Sequence, residues 1–525
     1  MNHIELFAGC GGLSLGLEQA GFELVLANEL SPMAAESFAY NFYKENLEES
    51  ANQDTEPTHT FWINSQYKDL KSRLRENPFK FPKLNKNGYS DLPNDGNWTN
   101  LKGKLLVGSV VELNILLDEN PLLVSQLRSA FSQAGELDLV SGGPPCQGFS
   151  MAGKRELESD KNSLPWAFAK FVKITQPKIV LFENVTGILR PFKDSNGKSF
   201  HAWYEVAKVF ASIGYVPLCL HINARQAGVP QNRPRFIMIA VRYDHLSQLL
   251  KNSLQNDFML FSKALNFFEL VQKFKEKLPF GHLDYIDATK SAGITVFSNS
   301  FLGGLVNNDE ISVKDALDDL KRNNPDNPSH FVNELNDTFT KLIKHVAIQN
   351  HEARNNSPLV KRRFRLYQIL QQINDRKVTH AVFAVLKGES DELSEMAWLA
   401  LNPFEYLHEN GELYRFTSKV TFEKYLHAHP TKKQTQRALV ANAPAPAALS
   451  IPDDACHYDA RELRVLTVRE MARIQSFPDN FIFRSKITTG GQMRKFEVPQ
   501  YTQVGNAVPP LLGLKLGQAI THLLK

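Results

Sequence analysis

Short apolar runs separated by stretches of helical periodicity recur along the first half of the chain. Apolar runs bounded by glycine, asparagine or proline predict buried strands at residues 4–8, 22–27, 105–107, 137–140, 178–182, 216–222 and 236–241. Between them, apolar residues on one helical face predict helices at residues 13–20, 164–174 and 203–213. Strands that alternate with helices predict a doubly wound, mostly parallel α/β sheet, in which ligands bind beyond the carboxyl ends of the strands.

The first predicted strand runs directly into a glycine loop, Gly9-Cys10-Gly11-Gly12, and the second strand ends at Glu29. Such a loop lets backbone approach a ligand, and a carboxylate at the tip of the second strand can accept both hydroxyls of a ribose. Ser14 replaces the third glycine of the dinucleotide fingerprint, which favours a nucleoside without pyrophosphate, S-adenosylmethionine, over NAD. The alternative is an ordinary tight turn of an α/β protein.

A single cysteine follows the strand at 137–140, in the sequence Ser141-Gly142-Gly143-Pro144-Pro145-Cys146-Gln147-Gly148-Phe149-Ser150. The glycines allow a tight turn and the prolines stiffen it, so the thiol is a candidate nucleophile at a strand end. The alternative is a buried structural cysteine. The four cysteines of the chain are scattered without paired spacing, which indicates neither a zinc site nor a disulfide framework and fits a reducing, intracellular setting.

Composition adds few constraints. The chain has 525 residues, of which 42% are hydrophobic and 22% charged, as in ordinary soluble proteins of two or three domains. No run of 18 apolar residues predicts a membrane span, and a strand at 4–8 leaves no room for a signal peptide. The net charge of +4 is only weak support for a nucleic-acid partner.

Six segments, in this order, resemble the motifs of the DNA (cytosine-5) methyltransferases. They are residues 7–12 (FAGCGG), 143–150 (GPPCQGFS), 183–185 (ENV), 231–235 (QNRPR), 466–478 (LTVREMARIQSFP) and 503–510 (QVGNAVPP). The resemblance implies a Rossmann-like methyltransferase fold with a second, smaller target-recognition domain. It also implies methyl transfer to C5 of a cytosine that is flipped out of double-stranded DNA.

The resemblance further assigns catalytic roles. The Cys146 thiolate would add to C6 of the cytosine, and Glu183 would hold a proton at N3. Asn184 would orient the thiol loop or contact the ring. Arg233 and Arg235 would lie beside the flipped base and its phosphates, although both could be plain surface arginines. The substrate-binding residues implied by the resemblance are Gln147, Ser150 and Gln231, and Gln231 shares one face of an extended segment with the two arginines.

The cofactor implied is S-adenosyl-L-methionine, with S-adenosyl-L-homocysteine as product, and no metal is expected. Its pocket would be lined by Phe7, Ala8, Gly9, Gly11, Gly12, Leu13, Glu29, Pro145, Asn506 and Val508. The family often has an acidic residue, for the adenine amino group, where this chain has Ser109. Adenine recognition is therefore left to backbone or to other groups.

These expectations divide the chain into three parts. Residues 1–245 would form the catalytic domain with an insertion at about 44–103, residues 246–460 the target-recognition region, and residues 461–525 a return to the catalytic domain. A basic cluster at 361–365 suits phosphate contacts or forms a solvated helix face. The capping box at Thr467 opens a helix that is expected to be mostly structural.

Three alternatives compete with DNA methylation. An RNA cytosine-5 methyltransferase shares the same motifs, but the long middle region favours DNA. A DNA-binding protein that has lost catalysis is disfavoured by the intact Cys146, Glu183 and Arg233. A phosphate-binding loop at 148–155 is rejected because Arg155 stands where the motif has the Ser or Thr that ligates magnesium, and because the cysteine loop explains both glycines. We expect a monomer in the cytoplasm of a prokaryote, paired with a restriction endonuclease.

Overall fold

The computed structural model describes residues 1–84, 86–93, 95–145, 164–193, 199–252, 255–306, 308–322, 325–431, 437–447 and 449–525. The strands of this part are β1 (Asn2–Leu6), β2 (Glu23–Glu29), β3 (Thr60–Trp62), β4 (Lys104–Val107), β5 (Leu139–Gly142), β6 (Ile179–Val185), β7 (Phe192–Lys193), β8 (Ser199–Phe200), β9 (Tyr215–Asn223), β10 (Pro234–Arg242), β11 (Ile286–Asp287), β12 (Tyr406–Leu407), β13 (Leu413–Tyr414), β14 (Arg437–Ala438) and β15 (Ala455–Cys456).

The α-helices of the same part alternate with the strands in the first half and predominate in the second. They are α1 (Gly12–Gln19), α2 (Pro32–Tyr43), α3 (Leu47–Asn52), α4 (Leu70–Arg73), α5 (Val110–Glu119), α6 (Pro121–Arg128), α7 (Leu164–Thr175), α8 (Ala202–Ser212), α9 (Tyr243–Asn252), α10 (Gln255–Phe274), α11 (Ser291–Ser298), α12 (Val313–Leu317), α13 (His330–Thr338), α14 (Pro358–Ile373), α15 (Arg376–Leu386), α16 (Glu395–Leu401), α17 (Lys419–His427), α18 (Val468–Ile474), α19 (Gln500–Asn506) and α20 (Pro510–His522). In the described ranges, no helix is long and apolar enough to cross a membrane.

Nine strands form one sheet in the order β11-β9-β10-β6-β5-β1-β2-β4-β3. Strand β10 runs antiparallel to both of its neighbours, β6 and β9. The other pairings in this sheet are parallel. The predicted mostly parallel α/β architecture is therefore confirmed, with one reversed strand, the third from the β11 edge.

The two ends of the chain meet on one face of this sheet. Helix α1 crosses α20 at glycines: a Cβ added to Gly16 would lie 2.4 Å from the Leu514 nitrogen and from the Pro510 oxygen. Gly513 faces Leu13 and Gly16 across the same contact. Because Gly16 and Gly513 have no side chains, the two helix backbones approach closely, and α20 packs directly against α1.

The segment at about 44–103, expected to be an insertion at the sheet edge, extends that edge. It supplies β3, which pairs with β4, and Trp62 at the end of β3 is fully buried. Beyond β3, the Trp62 N–H donates to Asp91 at 2.8 Å, and Ser65 and Tyr89 exchange backbone hydrogen bonds. The exposed side of this edge strand is thus covered by its own segment.

The middle of the chain divides between several hydrophobic cores. Apolar residues of α10 and α11, such as Phe261 and Phe297, belong to the core of the sheet. Helices α14 to α17 have a separate core that includes Ile369, Trp398 and Phe422. The expected boundaries at 245 and 460 stay predictions, and the packing places α10 and α11 with the sheet.

Candidate active site

Four neighbouring strands, β2, β1, β5 and β6, reach the carboxyl edge of the sheet in register. Leu6 pairs with Asn28 on one side and with Gly142 on the other, and Gly142 pairs with Phe182. The residues that follow each of these positions therefore stand side by side at the edge: Glu29, Phe7, Gly143 and Glu183. The glycine loop, the cysteine segment and the Glu-Asn-Val segment thus begin at one row of the sheet.

Glu183 at this row forms an ion pair with Arg235 of the reversed strand β10. The Arg235 Nε and the Glu183 Oε1 are 2.7 Å apart, and both side chains are largely buried. Burial lowers the pKa of Arg235, and the charge of Glu183 opposes this shift. A Cβ on Gly143 would lie 2.7 Å from the Glu183 Oε2, so the carboxylate packs directly against the start of the cysteine segment.

Asn184 connects this pair to the cysteine segment. Its Nδ2 donates to the Pro144 carbonyl at 3.0 Å, and its Oδ1 accepts the Val185 N–H at 2.9 Å. Pro144 is buried and Pro145 exposed, so the chain leaves the sheet edge toward solvent at this point. Cys146, Gln147 and Ser150 lie outside the described residues.

The other two side chains of the 231–235 segment have partners within the chain. Gln231 is fully buried and donates to the Pro446 carbonyl at 3.0 Å. Arg233 is 3% exposed, and its Nη2 donates to the carbonyls of Gly505 at 2.8 Å and Ala507 at 3.0 Å. A contact of these two side chains with DNA stays a prediction, and both are held by backbone in this structure.

The glycine loop adopts left-handed backbone where its sequence requires it. Gly9 and Gly11 have φ of 57° and 96°, and Gly11 is the N-cap of α1. The Gly9 and Ser31 N–H groups donate to the two oxygens of Glu29 at 2.8 Å and 2.7 Å. Burial raises the pKa of Glu29, while these hydrogen bonds lower it. The carboxylate expected at the tip of β2 is therefore tied to the loop.

The segment at 503–510 lies against this loop. A Cβ on Gly12 would stand 2.3 Å from the Val508 carbonyl oxygen, and Asn506 next to it is exposed. On the open side, a Cβ on Gly9 would meet no atom within 4 Å. The 503–510 segment therefore packs on one side of the glycine loop, and the loop is open at Gly9.

Comparison with known proteins identifies the family. The sequence model of the family described as "C-5 cytosine-specific DNA methylase" matches residues 1–66 and 124–522. The chain belongs to this family of DNA methylases. Type II methyltransferase M.DdeI of Desulfomicrobium norvegicum is 25% identical over 529 residues, which cover 99% of this chain and 88% of its own. Type II methyltransferase M1.HphI of Haemophilus parahaemolyticus is 25% identical over 526 residues, which cover 100% and 87%.

Similarity to solved structures is weaker. The S. pombe Dnmt2 methyltransferase aligns over 100% of this chain and 99% of its own with 14% identity and a TM-score of 0.38. The assignment to the family thus rests on sequence similarity. The description of the architecture rests on the sheet given above. The family description leaves out residues 67–123, which contain most of the sheet-edge extension together with β4 and α5.

The sequence alone did not single out every polar group that shapes this methylase site. Gln503 is buried; its Nε2 reaches the Met33 carbonyl at 3.0 Å, and its Oε1 accepts from Ser37 at 2.5 Å. It thereby links α19 to the start of α2, just after Glu29. Its place in the motif at 503–510 was the available signal.

Glu5 in β1 was likewise missed. The Ser14 hydroxyl, at the position of the absent third glycine, donates to the Glu5 carboxyl. Burial raises the pKa of Glu5 to about 8. Burial thus favours the neutral, protonated form of this carboxyl, which lies next to the first residues of α1. The available signal was its position as a charged residue inside an apolar strand.

The structure shows the contacts of two further features of the sequence, Ser109 and the basic cluster at 361–365. The Ser109 hydroxyl accepts the Val111 N–H at 3.2 Å as the N-cap of α5, so it serves the helix. In the basic cluster, Arg362 pairs with Glu409 at 3.0 Å, and the buried Arg365 donates to the Glu405 carbonyl. These two arginines thus have partners within the helical region, and phosphate contact by the cluster stays a prediction.

The capping box of α18 forms as the sequence predicts. The Thr467 hydroxyl accepts the Glu470 N–H, and the Glu470 carboxylate accepts the Thr467 N–H at 2.8 Å. Arg464 also donates to both oxygens of Glu470 at 2.7 Å. All of these groups are buried, so the segment has a structural part in the molecule. Searched over the described ranges, the chain has no group of three or more metal-ligating side chains.

Proposed function

We propose that this methylase transfers a methyl group from S-adenosylmethionine to C5 of a cytosine flipped out of double-stranded DNA, with Cys146 as the nucleophile. One observation carries the proposal. Glu183 and Gly143 stand side by side at the sheet edge, and Asn184 holds the carbonyl two residues before Cys146. This arrangement supports a thiol and a carboxyl that reach the same ring.

The ring chemistry follows from the weak nucleophilicity of C5 in cytosine. The Cys146 thiolate forms a bond to C6, the ring electrons move toward N3, and Glu183 delivers a proton to N3. C5 then becomes the nucleophilic carbon of an enamine. Arg235, 2.7 Å from the Glu183 Oε1, keeps the carboxyl oriented toward the ring. Once C5 has gained the methyl group that S-adenosylmethionine would supply, loss of the C5 proton, departure of the thiolate and return of the N3 proton to Glu183 restore the aromatic ring.

The residues around the glycine loop would hold the cofactor. Backbone from Phe7 to Leu13 would lie along it, and Glu29 would accept the ribose hydroxyls with lone pairs that Gly9 and Ser31 leave free. Asn506, with Val508, would bind the amino-acid end, and Pro145 would close the pocket toward the base. When bound, S-adenosylmethionine supplies an electrophilic methyl group on a sulfonium.

The biological setting is part of the proposal. The relatives named above are type II methyltransferases, and this supports a restriction-modification role in a prokaryotic cytoplasm. We infer that the chain acts as a monomer, and that helices α14 to α17 contribute to reading the DNA sequence. Methylation would then protect the site from a paired endonuclease. Bisulfite sequencing of a host that expresses the protein would identify the methylated sequence.

Covalent trapping tests the mechanism. A duplex pool carrying 5-fluorocytosine, incubated with the protein and S-adenosylmethionine, should give an adduct that survives denaturation, because fluorine cannot leave C5 as a proton does. Cys146→Ser should abolish the adduct, and Glu183→Gln should slow its formation at least a hundredfold. An adduct with RNA but with no DNA pool would contradict the DNA substrate. An undiminished adduct in Cys146→Ser would contradict the nucleophile.

A further inference from the structure

Arg233 binds the backbone on both sides of Asn506. Its Nη2 donates to the Gly505 carbonyl at 2.8 Å and to the Ala507 carbonyl at 3.0 Å. Two residues further along the same segment, Arg235 forms the ion pair with Glu183. The 231–235 segment therefore contacts the Glu183 carboxylate through Arg235 and the backbone around Asn506 through Arg233.

The guanidinium of Arg233 has no carboxylate of its own. Over the residues that the structure describes, Arg233 forms no ion pair, and its buried Nε has no hydrogen-bond partner. Burial lowers the pKa of Arg233, and the neighbouring charge of Arg235 lowers it further. The charge of Glu183, which is already paired with Arg235, only partly opposes this shift. A buried cation without an ion pair of its own is costly, so its two hydrogen bonds to carbonyls contribute to stabilising it.

The segment that Arg233 holds has little freedom elsewhere. A Cβ on Gly505 would lie 2.6 Å from the Leu449 oxygen and the Ser450 Cα. A Cβ on Gly12 would lie 2.3 Å from the Val508 oxygen. Asn506 is thus exposed on a stretch of backbone that has three close contacts: with residues 449–450, with Gly12 and with Arg233. Of these, Arg233 belongs to the 231–235 segment, which also carries Arg235.

We propose that Arg233 is a positioning residue for the cofactor, which it serves by fixing the backbone that carries Asn506. This inference rests on the proposed function, in which Asn506 binds the amino-acid end of S-adenosylmethionine. It differs from the role that the family resemblance implies, a direct contact of Arg233 with the base or its phosphates. It also makes the 231–235 segment the physical link between cofactor binding and the Glu183–Arg235 pair.

A double-mutant cycle tests the inference. Calorimetry would measure the Kd of S-adenosylhomocysteine for wild type, Arg233→Ala, Asn506→Ala and the double variant. Each single variant should raise this Kd about tenfold, and the double variant no further, because Asn506 is already misplaced once Arg233 is gone. Arg233→Lys, which keeps a donor to the carbonyls, should give an intermediate Kd. Affinity for duplex DNA should stay within about twofold throughout.

Controls keep the outcomes distinct. Arg225, a partly exposed arginine 3.7 Å from Glu310, provides a control Arg225→Ala variant whose Kd should equal that of wild type. If Arg233→Ala unfolds, the cycle is run with Arg233→Lys instead. Additive effects of the two substitutions, or an unchanged Kd together with lost DNA affinity, would overturn the inference. A wild type that binds no cofactor would instead overturn the proposed function.

Discussion

The cofactor side of the molecule and the helical region α14 to α17 are built in opposite ways. On the cofactor side, α1 and α20 come from the two ends of the chain and meet through Gly16 and Gly513. The helical region draws its core from residues close in sequence, between Leu366 and Leu426. The first arrangement depends on the absence of atoms at a few positions, and the second on the bulk of many apolar side chains.

Phe422→Ala should have the largest effect and should be confined to the helical region. Phe422 is fully buried and packs on Trp398 and Tyr406, so its truncation leaves a cavity that costs about 3–5 kcal/mol. Hydrogen exchange should accelerate in α15 to α17, while cofactor Kd stays unchanged. Leu399→Ala, at an exposed position of α16, is the matched control. A parallel loss of cofactor affinity would show that the two regions are not separate.

Acid should destabilise the segment around α18 through its buried carboxyl, Glu470. Burial alone would raise the pKa of this carboxyl, but the hydrogen bonds and charge of Arg464 lower it to about 2. Because the folded pKa lies below the unfolded value of 4.5, this stabilisation is complete above about pH 4.5 and is lost as the pH falls toward 2. At neutral pH it amounts to about 3 kcal/mol.

Thermal unfolding of Glu470→Gln at several pH values measures this contribution. The difference in stability from wild type should be large at pH 7 and should shrink by pH 3. Glu334→Gln, at an exposed carboxyl of α13, controls for the general effect of removing a charge. A difference that stays constant between pH 7 and pH 3 would contradict the assigned pKa shift.

Gly16→Ala should damage the cofactor side and leave the helical region intact. Alanine normally stabilises a helix interior by about 1 kcal/mol relative to glycine, so a loss of stability here isolates the clash with α20. We expect the free energy of unfolding to fall by about 1–3 kcal/mol and cofactor affinity to fall with it. Gly490→Ala, where a Cβ meets no atom within 4 Å, should be neutral. Equal effects of the two substitutions would contradict the close crossing.

How much the sequence could predict differs between elements for physical reasons. The strands and the glycine loop were predictable because periodicity and left-handed glycines are local requirements. The run of aromatic and β-branched residues at 60–63 also marked β3, but the polar stretch around it hid the signal. The reversed direction of β10 was not predictable, since a buried apolar strand has the same pattern in either direction.

The candidate site shows the same division. The placement of Glu29 and Glu183 at one edge followed from their positions at the ends of predicted strands. The partners of Arg233 did not, because Gly505 and Ala507 lie more than 270 residues away and only tertiary packing brings them together. Periodicity put Arg233 on a face with Arg235, but it could not say that one reaches a carboxylate and the other backbone.

Asn184→Ala should have the smallest effect on free energy, and beyond a loss of stability that its control shares, that effect should fall on the chemistry. The substitution removes the donor to the Pro144 carbonyl, two residues before Cys146. A hydrogen bond of this kind contributes about 1.4 kcal/mol, so kcat should fall about tenfold while the Kd values of cofactor and DNA stay unchanged. Asn114→Ala is the matched control, because Asn114 is also buried and donates to a carbonyl, that of Ala167 at 2.9 Å. Both variants should lose similar thermal stability, and only Asn184→Ala should slow single-turnover methylation. If the two variants slow methylation equally, the bond from Asn184 to Pro144 has no special part in positioning Cys146. Loss of this contact would then matter less than a methyl group added at the glycine contacts between α1 and α20.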